Sequence, residues 1–202
     1  MPILKYIRWG AWAAIGIISI AAGLALLGIT PGNVNPGSLP LAAGIGGPFS
    51  LQGPDGRRVT DKDLLGKPFG VFFGFTNCPD VCPTTMLELS NRMRELGADA
   101  DKMRIVFITV DPERDTPEYL KTYVANFDPR IIALTGTAEE IADVARRYRA
   151  VYRKVPTSSG YTMDHTATVF LMDKAGKFAG TLAYQEAADT QLAKLKRLVG
   201  GS

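Results

Sequence analysis

The sequence predicts an α/β sandwich around a central sheet, opened by a short hairpin and preceded by a single transmembrane helix. Three observations carry that expectation. Two short apolar runs rich in β-forming residues, FGVFFGF at 69–75 and RIVFITV at 104–110, flank a stretch with helical spacing, as in a parallel strand–helix–strand unit. Near the end, TVFLMD and KFAGTLAY are two further strand-like runs joined by a tight Lys-Ala-Gly turn, with a last helical stretch behind them. At the start, Trp9 to Ile29 carries no charge over 21 residues, which meets the roughly 20 apolar residues that a membrane-spanning helix needs.

The basic residues Lys5 and Arg8 precede that apolar run and no comparable cluster follows it closely, so the charge bias places residues 1–8 in the cytoplasm. Residues 9–29 then form the span, 30–47 a tether, and 48–202 a folded domain outside. A cleavable signal peptide is the competing reading. Its apolar region would be only about 7–15 residues long and would end in an A-x-A-like site, whereas this run ends in GITPGNVNPG. A buried core helix is disfavoured because no polar face interrupts the run. The few residues ahead of the span are too short for an Arg-rich, Ser-rich transit peptide. The expected location is therefore a bacterial inner membrane, single-pass, with the C-terminal domain in the periplasm.

Residues 30–47, TPGNVNPGSLPLAAGIGG, are dense in Gly and Pro, uncharged and without periodicity, as a tether would be. FSLQGPDGRRVT holds two short extended pieces around Pro-Asp-Gly, the signature of a hairpin turn. FGVFFGF is a strand buried on both faces. Met86, Leu89, Met93 and Leu96 recur at helical spacing before Gly97, predicting a helix over 83–96, and RIVFITV is the next buried strand. A helix started by Asp115 or Thr116 follows, with Tyr119, Leu120, Tyr123 and Val124 on one side. IIAL at 131–134 is a third strand. TAEEIADVARRYR opens with a capping box, Thr137 and Glu140, keeps Ile141, Val144, Ala145 and Tyr148 on one stripe, and ends in arginines. VYRKV alternates, SSG breaks it, and the final strand pair and a helix over 188–199 close the chain.

A chain of 202 residues is near the size of one domain and buries a core without staples. Its 23 basic and 20 acidic residues give a net charge of +3, of which Lys5 and Arg8 supply two units, so nothing resembles a nucleic-acid footprint. Both cysteines, Cys78 and Cys82, fall within FTNCPDVCP, where the first buried strand hands over to a helix. Such a loop lies at the carboxyl edge of the sheet, a usual place for a site. Whether the helix begins at Pro79 or at Pro83, the thiols lie near its N-terminus, whose positive end favours thiolate, both nucleophile and metal ligand. A permanent staple is disfavoured, because closing so small a loop removes little entropy from the unfolded chain. A reversible disulfide is compatible with the spacing. Thiol exchange and metal binding therefore both stand.

His165, the only histidine, sits just before the strand of the final hairpin, at the edge of a strand expected in the same sheet, where it can approach the cysteine loop. With the cysteines it makes two sulfurs and one nitrogen, a set that suits Cu(I) and can also hold Cu(II). Structural zinc normally takes four protein ligands, and an open three-ligand site fits a metal that must be passed on. Asp80 and Asp111 flank the loop and would tune the site, dock a partner or, more commonly for acids before helices, serve as dipole and cap charges. Met163 would be a soft axial ligand or, better, a packing residue, and Met86 and Met93 belong to the helix core.

FGFTNCPDVCPTTM, then VDPERDTPEYL, then MDHTATVFLMD, in that order, resemble the Sco (SenC) family of membrane-anchored copper proteins. The likeness covers essentially the chain after residue 47. It implies a thioredoxin-like fold, copper ligation by Cys78, Cys82 and His165 in the Cu(I) and Cu(II) states, and a role in assembling the binuclear copper centre of cytochrome c oxidase. The copper-bearing subunit of that oxidase is the implied partner, with other copper carriers or a thioredoxin-like reductant as further ones. Family members often carry histidine or another residue where this chain has Asn77, a position outside the ligand pattern. Ordinary thioredoxin relatives carry C-x-x-C and a proline, usually cis, before the corresponding strand; this chain has C-x-x-x-C and Ala167 there. The expectation is a copper chaperone rather than an enzyme. The alternatives are a thiol–disulfide reductase that keeps the client's cysteines reduced and a redox sensor using the Cys78–Cys82 pair as a redox-active disulfide.

Overall fold

A computed structural model of the chain describes residues 44–200. The expected span at 9–29 and most of the expected tether lie outside them. Among the described residues no helix is long and apolar enough to cross a membrane. The end of the Gly-rich stretch lies against the domain, with the Gly46 N–H donating to the Arg147 carbonyl at 2.9 Å.

Strands β1 (Ser50–Gln52) and β2 (Arg58–Thr60) form the hairpin expected around Pro-Asp-Gly, pairing antiparallel with Ser50 opposite Thr60. The central sheet is built from β3 (Phe69–Gly74), β4 (Arg104–Thr109), β5 (Ile131–Leu134), β8 (Val169–Met172) and β9 (Phe178–Leu182), in the order β5-β4-β3-β8-β9. β3, β4 and β5 run parallel, whereas β8 is antiparallel to β3 and β9 to β8. All six residues of β3 are buried, which is why its sequence is a continuous apolar run rather than an alternating one.

Helix α1 (Val81–Leu96) buries Met86, Leu89, Met93 and Leu96, the stripe read from spacing, and stops at Gly97, whose φ of 57° lies in the left-handed region. α2 (Pro117–Val124) is capped by the Thr116 side chain, which accepts the Tyr119 N–H. α3 (Ala138–Arg147) has the expected capping box: the Thr137 hydroxyl accepts the Glu140 N–H, and the Glu140 carboxylate accepts the Thr137 N–H. α4 (Ala188–Gly200) packs against α1.

One expectation needs correction, and one pairing goes beyond what the sequence showed. α1 starts at Val81, inside the cysteine motif, rather than at Pro79 or Pro83. The alternating VYRKV run becomes β6 (Tyr152–Thr157), which turns at Ser158–Ser159 and pairs with β7 (Gly160–His165) in a two-stranded sheet of its own. His165 is therefore the last residue of a hairpin outside the central sheet, joined to β8 by residues 166–168.

Candidate metal centre

β3 delivers the chain to the carboxyl edge of the sheet, and α1 takes it up six residues after Phe75. The first turn of a helix leaves N–H groups without intrahelical partners. Pro83 has none to leave, and the Cys82 N–H donates to the Cys78 sulfur at 3.4 Å. A sulfur thus does what a capping oxygen usually does, and Asp80, at the cap position, makes no side-chain cap bond. Gly74 is required by close approach: a methyl group there would lie 3.0 Å from Cys82 Sγ and 2.7 Å from the Phe107 ring.

His165 Nε2 lies 3.3 Å from Cys82 Sγ, and its Nδ1 lies 3.2 Å from the Thr166 carbonyl oxygen. A carbonyl only accepts, so Nδ1 carries a proton and Nε2 is the ring nitrogen turned toward the sulfurs. Phe72 and Phe75 hold the ring edge-on, with centroids 5.9 Å and 5.7 Å away. One ligand atom from each of Cys78, Cys82 and His165 lies within 4.8 Å of the others. Cys82 is buried, while Cys78 and His165 are half-buried, so the group opens to solvent on one side.

The two thiols share the burden of charge unequally. The hydrogen bond from Cys82, helped by His165 and by backbone N–H groups, brings the Cys78 pKa down to about 3. The same Cys78 interaction, together with burial, pushes the Cys82 thiol up. The copper-free pair therefore holds one thiolate and one thiol.

Residues that sequence reasoning passed over build the support. Asp115, fully buried, accepts the Thr76 N–H at 3.0 Å and the hydroxyls of Thr76 and Thr109. It ties the exit of β3 to the end of β4, directly beneath the cysteine loop. Burial raises its pKa, and neighbouring Asp111 adds to the rise. The available signal was Thr116: with threonine taking the cap, Asp115 is left free to turn inward. The Tyr123 hydroxyl is buried without a partner among the described residues; burial, with the nearby Cys78 thiolate and Asp115, raises its pKa.

Of the other residues singled out, Asp80 is exposed and accepts the Thr84 hydroxyl at 3.1 Å. Asp111 is no helix-end charge: buried, it pairs with Arg114 and accepts the Tyr161 hydroxyl at 2.9 Å. Met163 is buried in the core on the same face of β7 as His165.

A mixed sheet flanked by helices, with a cysteine pair at the first strand–helix junction, defines a thioredoxin-like domain carrying a two-sulfur, one-nitrogen group. The described residues contain no cis peptide bond, consistent with alanine at position 167. The SCO1/SenC family model matches residues 38–200, and the chain belongs to that family. It is 45% identical over 138 residues to the mitochondrial SCO1 homolog 1 of Arabidopsis thaliana, covering 67% of this chain and 41% of that protein. The chain thus spans about two fifths of that curated relative's length. The copper-bound structure of Bradyrhizobium japonicum ScoI matches with 50% identity and a TM-score of 0.71, over 76% of this chain and 99% of that one. BsSco, described as a Sco-family cytochrome c oxidase assembly protein with a disulfide switch, matches at 26% identity and a TM-score of 0.65, over 80% of this chain and 97% of that one.

Proposed function

We propose that this chain is a membrane-anchored copper chaperone that holds copper on Cys78, Cys82 and His165 and delivers it to the copper-bearing subunit of cytochrome c oxidase during assembly. The observation that carries the reading is the convergence of two sulfurs and one imidazole nitrogen within 4.8 Å at one half-open position. Soft thiolates select Cu(I), and the added nitrogen makes Cu(II) tolerable. Three ligands leave a coordination position open, through which an acceptor's ligands can enter before the donor's leave. The Cys78 thiolate makes the surroundings negative, which favours a cation. The copper named in the relative's description and the family's link to oxidase assembly point the same way.

The anchoring rests on the apolar run at 9–29 and the basic residues ahead of it. The domain then works outside the cytoplasm, next to a membrane-embedded client.

The test is copper stoichiometry on a reduced fragment beginning near residue 44. One Cu(I) per chain is expected, with loading abolished by oxidation. Stoichiometric copper retained by a Cys78→Ser, Cys82→Ser double variant sinks the assignment.

A second reading, a reductase for the client's cysteines, is favoured by one observation. Cys78 is a half-exposed thiolate with a protonated Cys82 behind it, the arrangement of an attacking and a resolving thiol. His165→Ala separates the two readings in cells. Impaired oxidase assembly, partly rescued by added copper, supports the chaperone; wild-type activity at limiting copper supports the reductase.

A further inference from the structure

We propose that Asp111, Arg114 and Tyr161 form a clamp that positions His165 and so sets how strongly the site favours Cu(II). This rests on the copper reading above. The hairpin β6–β7 pairs with no strand of the central sheet, yet its last residue is the only nitrogen ligand. Its base is pinned at Val151 and Thr166, where the Thr166 N–H donates to the Val151 carbonyl and the Val151 N–H to the Thr166 hydroxyl, both at 2.9 Å. Those bonds close the hairpin on itself. They do not fix its tilt against the domain.

Tyr161, Met163 and His165 alternate along β7 and share its inward face. Met163 packs into the core, and Tyr161, four residues and about 13 Å up the strand from His165, meets the clamp. Its hydroxyl donates to Asp111 Oδ1 at 2.9 Å, its carbonyl accepts Arg114 Nη1–H at 3.0 Å, and the Arg114 guanidinium stacks 3.8 Å from its ring centroid. Asp111, with its side chain 1% exposed, accepts from Arg114 and Tyr161 together. The same guanidinium lies 5.9 Å from the Phe75 ring, which meets the His165 ring edge-on. The clamp therefore reaches the imidazole along two routes, through the strand and through Phe75.

One cost identifies the arrangement as more than packing: Arg114 Nη2 is buried with no partner among the described residues. A group left so is unfavourable, and a lysine or an apolar residue would avoid it. Only a fork, lying over the Tyr161 ring, reaches the Asp111 carboxylate and the Tyr161 carbonyl at once. Cu(I) is served by two thiolates alone, whereas Cu(II) needs nitrogen at a fixed place, so a loosened clamp weakens the two states unequally.

The test uses the full chain, reduced and purified in detergent without a histidine tag, as wild type, Tyr161→Phe and Arg114→Lys. His165 is the sole histidine, so its carbethoxylation by diethyl pyrocarbonate reads its position in copper-free protein. Both variants should carbethoxylate several-fold faster. Both should bind Cu(II) about tenfold more weakly, a change of about 1.4 kcal/mol, with sulfur-to-Cu(II) charge-transfer absorption reduced, while Cu(I) affinity stays within about threefold of wild type. Unchanged carbethoxylation, or equal weakening of both copper states with a lowered melting temperature, overturns the clamp while the copper reading stands. Wild-type protein that binds neither state overturns both.

Discussion

Gly74 shows how little room surrounds the buried sulfur. A methyl group there meets the Phe107 ring at 2.7 Å, closer than real Cβ atoms sustain, and Cys82 Sγ at a tight 3.0 Å. Gly74→Ala should destabilise the reduced domain by about 1–3 kcal/mol and weaken Cu(I) binding, as read by urea melts and a competition assay; a variant normal in both would show that the sulfur has slack. The thiol pair also fixes a pH dependence. The Cys78 pKa is about 3 in the folded chain and about 8.5 in an unfolded one, whereas that of folded Cys82 lies above the unfolded value. Between those values the unfolded pair binds two protons and the folded pair one, so stability rises with pH. Above about pH 8.5 the unfolded pair binds none and the folded pair still one, so stability falls. Denaturation of the reduced, copper-free domain from about pH 5 to about pH 10 should show a maximum near the unfolded thiol value, and Cys78→Ser should remove the rising limb. For His165→Ala, Cu(I) affinity should fall modestly and Cu(II) affinity severely, with the disulfide between Cys78 and Cys82 still forming and reducing.

Elements divide into those that carry the site and those that carry only the fold. Thr137→Ala breaks the α3 capping box and should cost about 1 kcal/mol with copper binding untouched. Asp115→Ala strands the Thr76 and Thr109 hydroxyls under the cysteine loop. It should cost about 1–3 kcal/mol and weaken Cu(I) as well, and a loss of stability alone would reduce Asp115 to a fold residue. The sequence showed β3, α1, β4 and α3 plainly, because a doubly buried strand and a capped apolar stripe leave periodic signals. It showed the thiols and His165 as candidates, because each is chemically rare in this chain. It did not show how His165 arrives. β6 has no clean alternation of buried and exposed residues: Tyr152 and Val155 are half-buried, three apart, and the rest are exposed. A hairpin supported on only part of one face carries no clean period-two pattern, so the sequence does not show that VYRKV pairs with β7, whereas the strand that follows His165 does lie beside β3 in the central sheet as expected. Asp115 was hidden for another reason: an acid beside a helix start is read as a cap until the neighbouring threonine is seen doing that work.

For the whole molecule, the expected topology is checked by fusing a reporter active only in the periplasm after Ser202; activity confined to a cytoplasm-requiring reporter would reverse it. Within the domain, the ligands are unevenly spread along the chain. Cys78 and Cys82 are four residues apart, but Cys82 and His165 are 83 apart. Closing the longer loop costs about 2.7 kcal/mol more chain entropy than closing the shorter one, so an unfolded or half-made chain can present the thiols together but not the imidazole. Cu(I) then binds the denatured ensemble as well as the native one, and a ligand that binds both shifts the folding equilibrium little. Cu(II), which needs the third ligand, binds only the finished fold. At matched native-state occupancy, Cu(II) should raise the melting temperature of the wild-type domain more than Cu(I) does, and His165→Ala should erase that difference. The oxidised ion would thereby report on completed folding, while the reduced ion could be caught before the second half of the domain has formed.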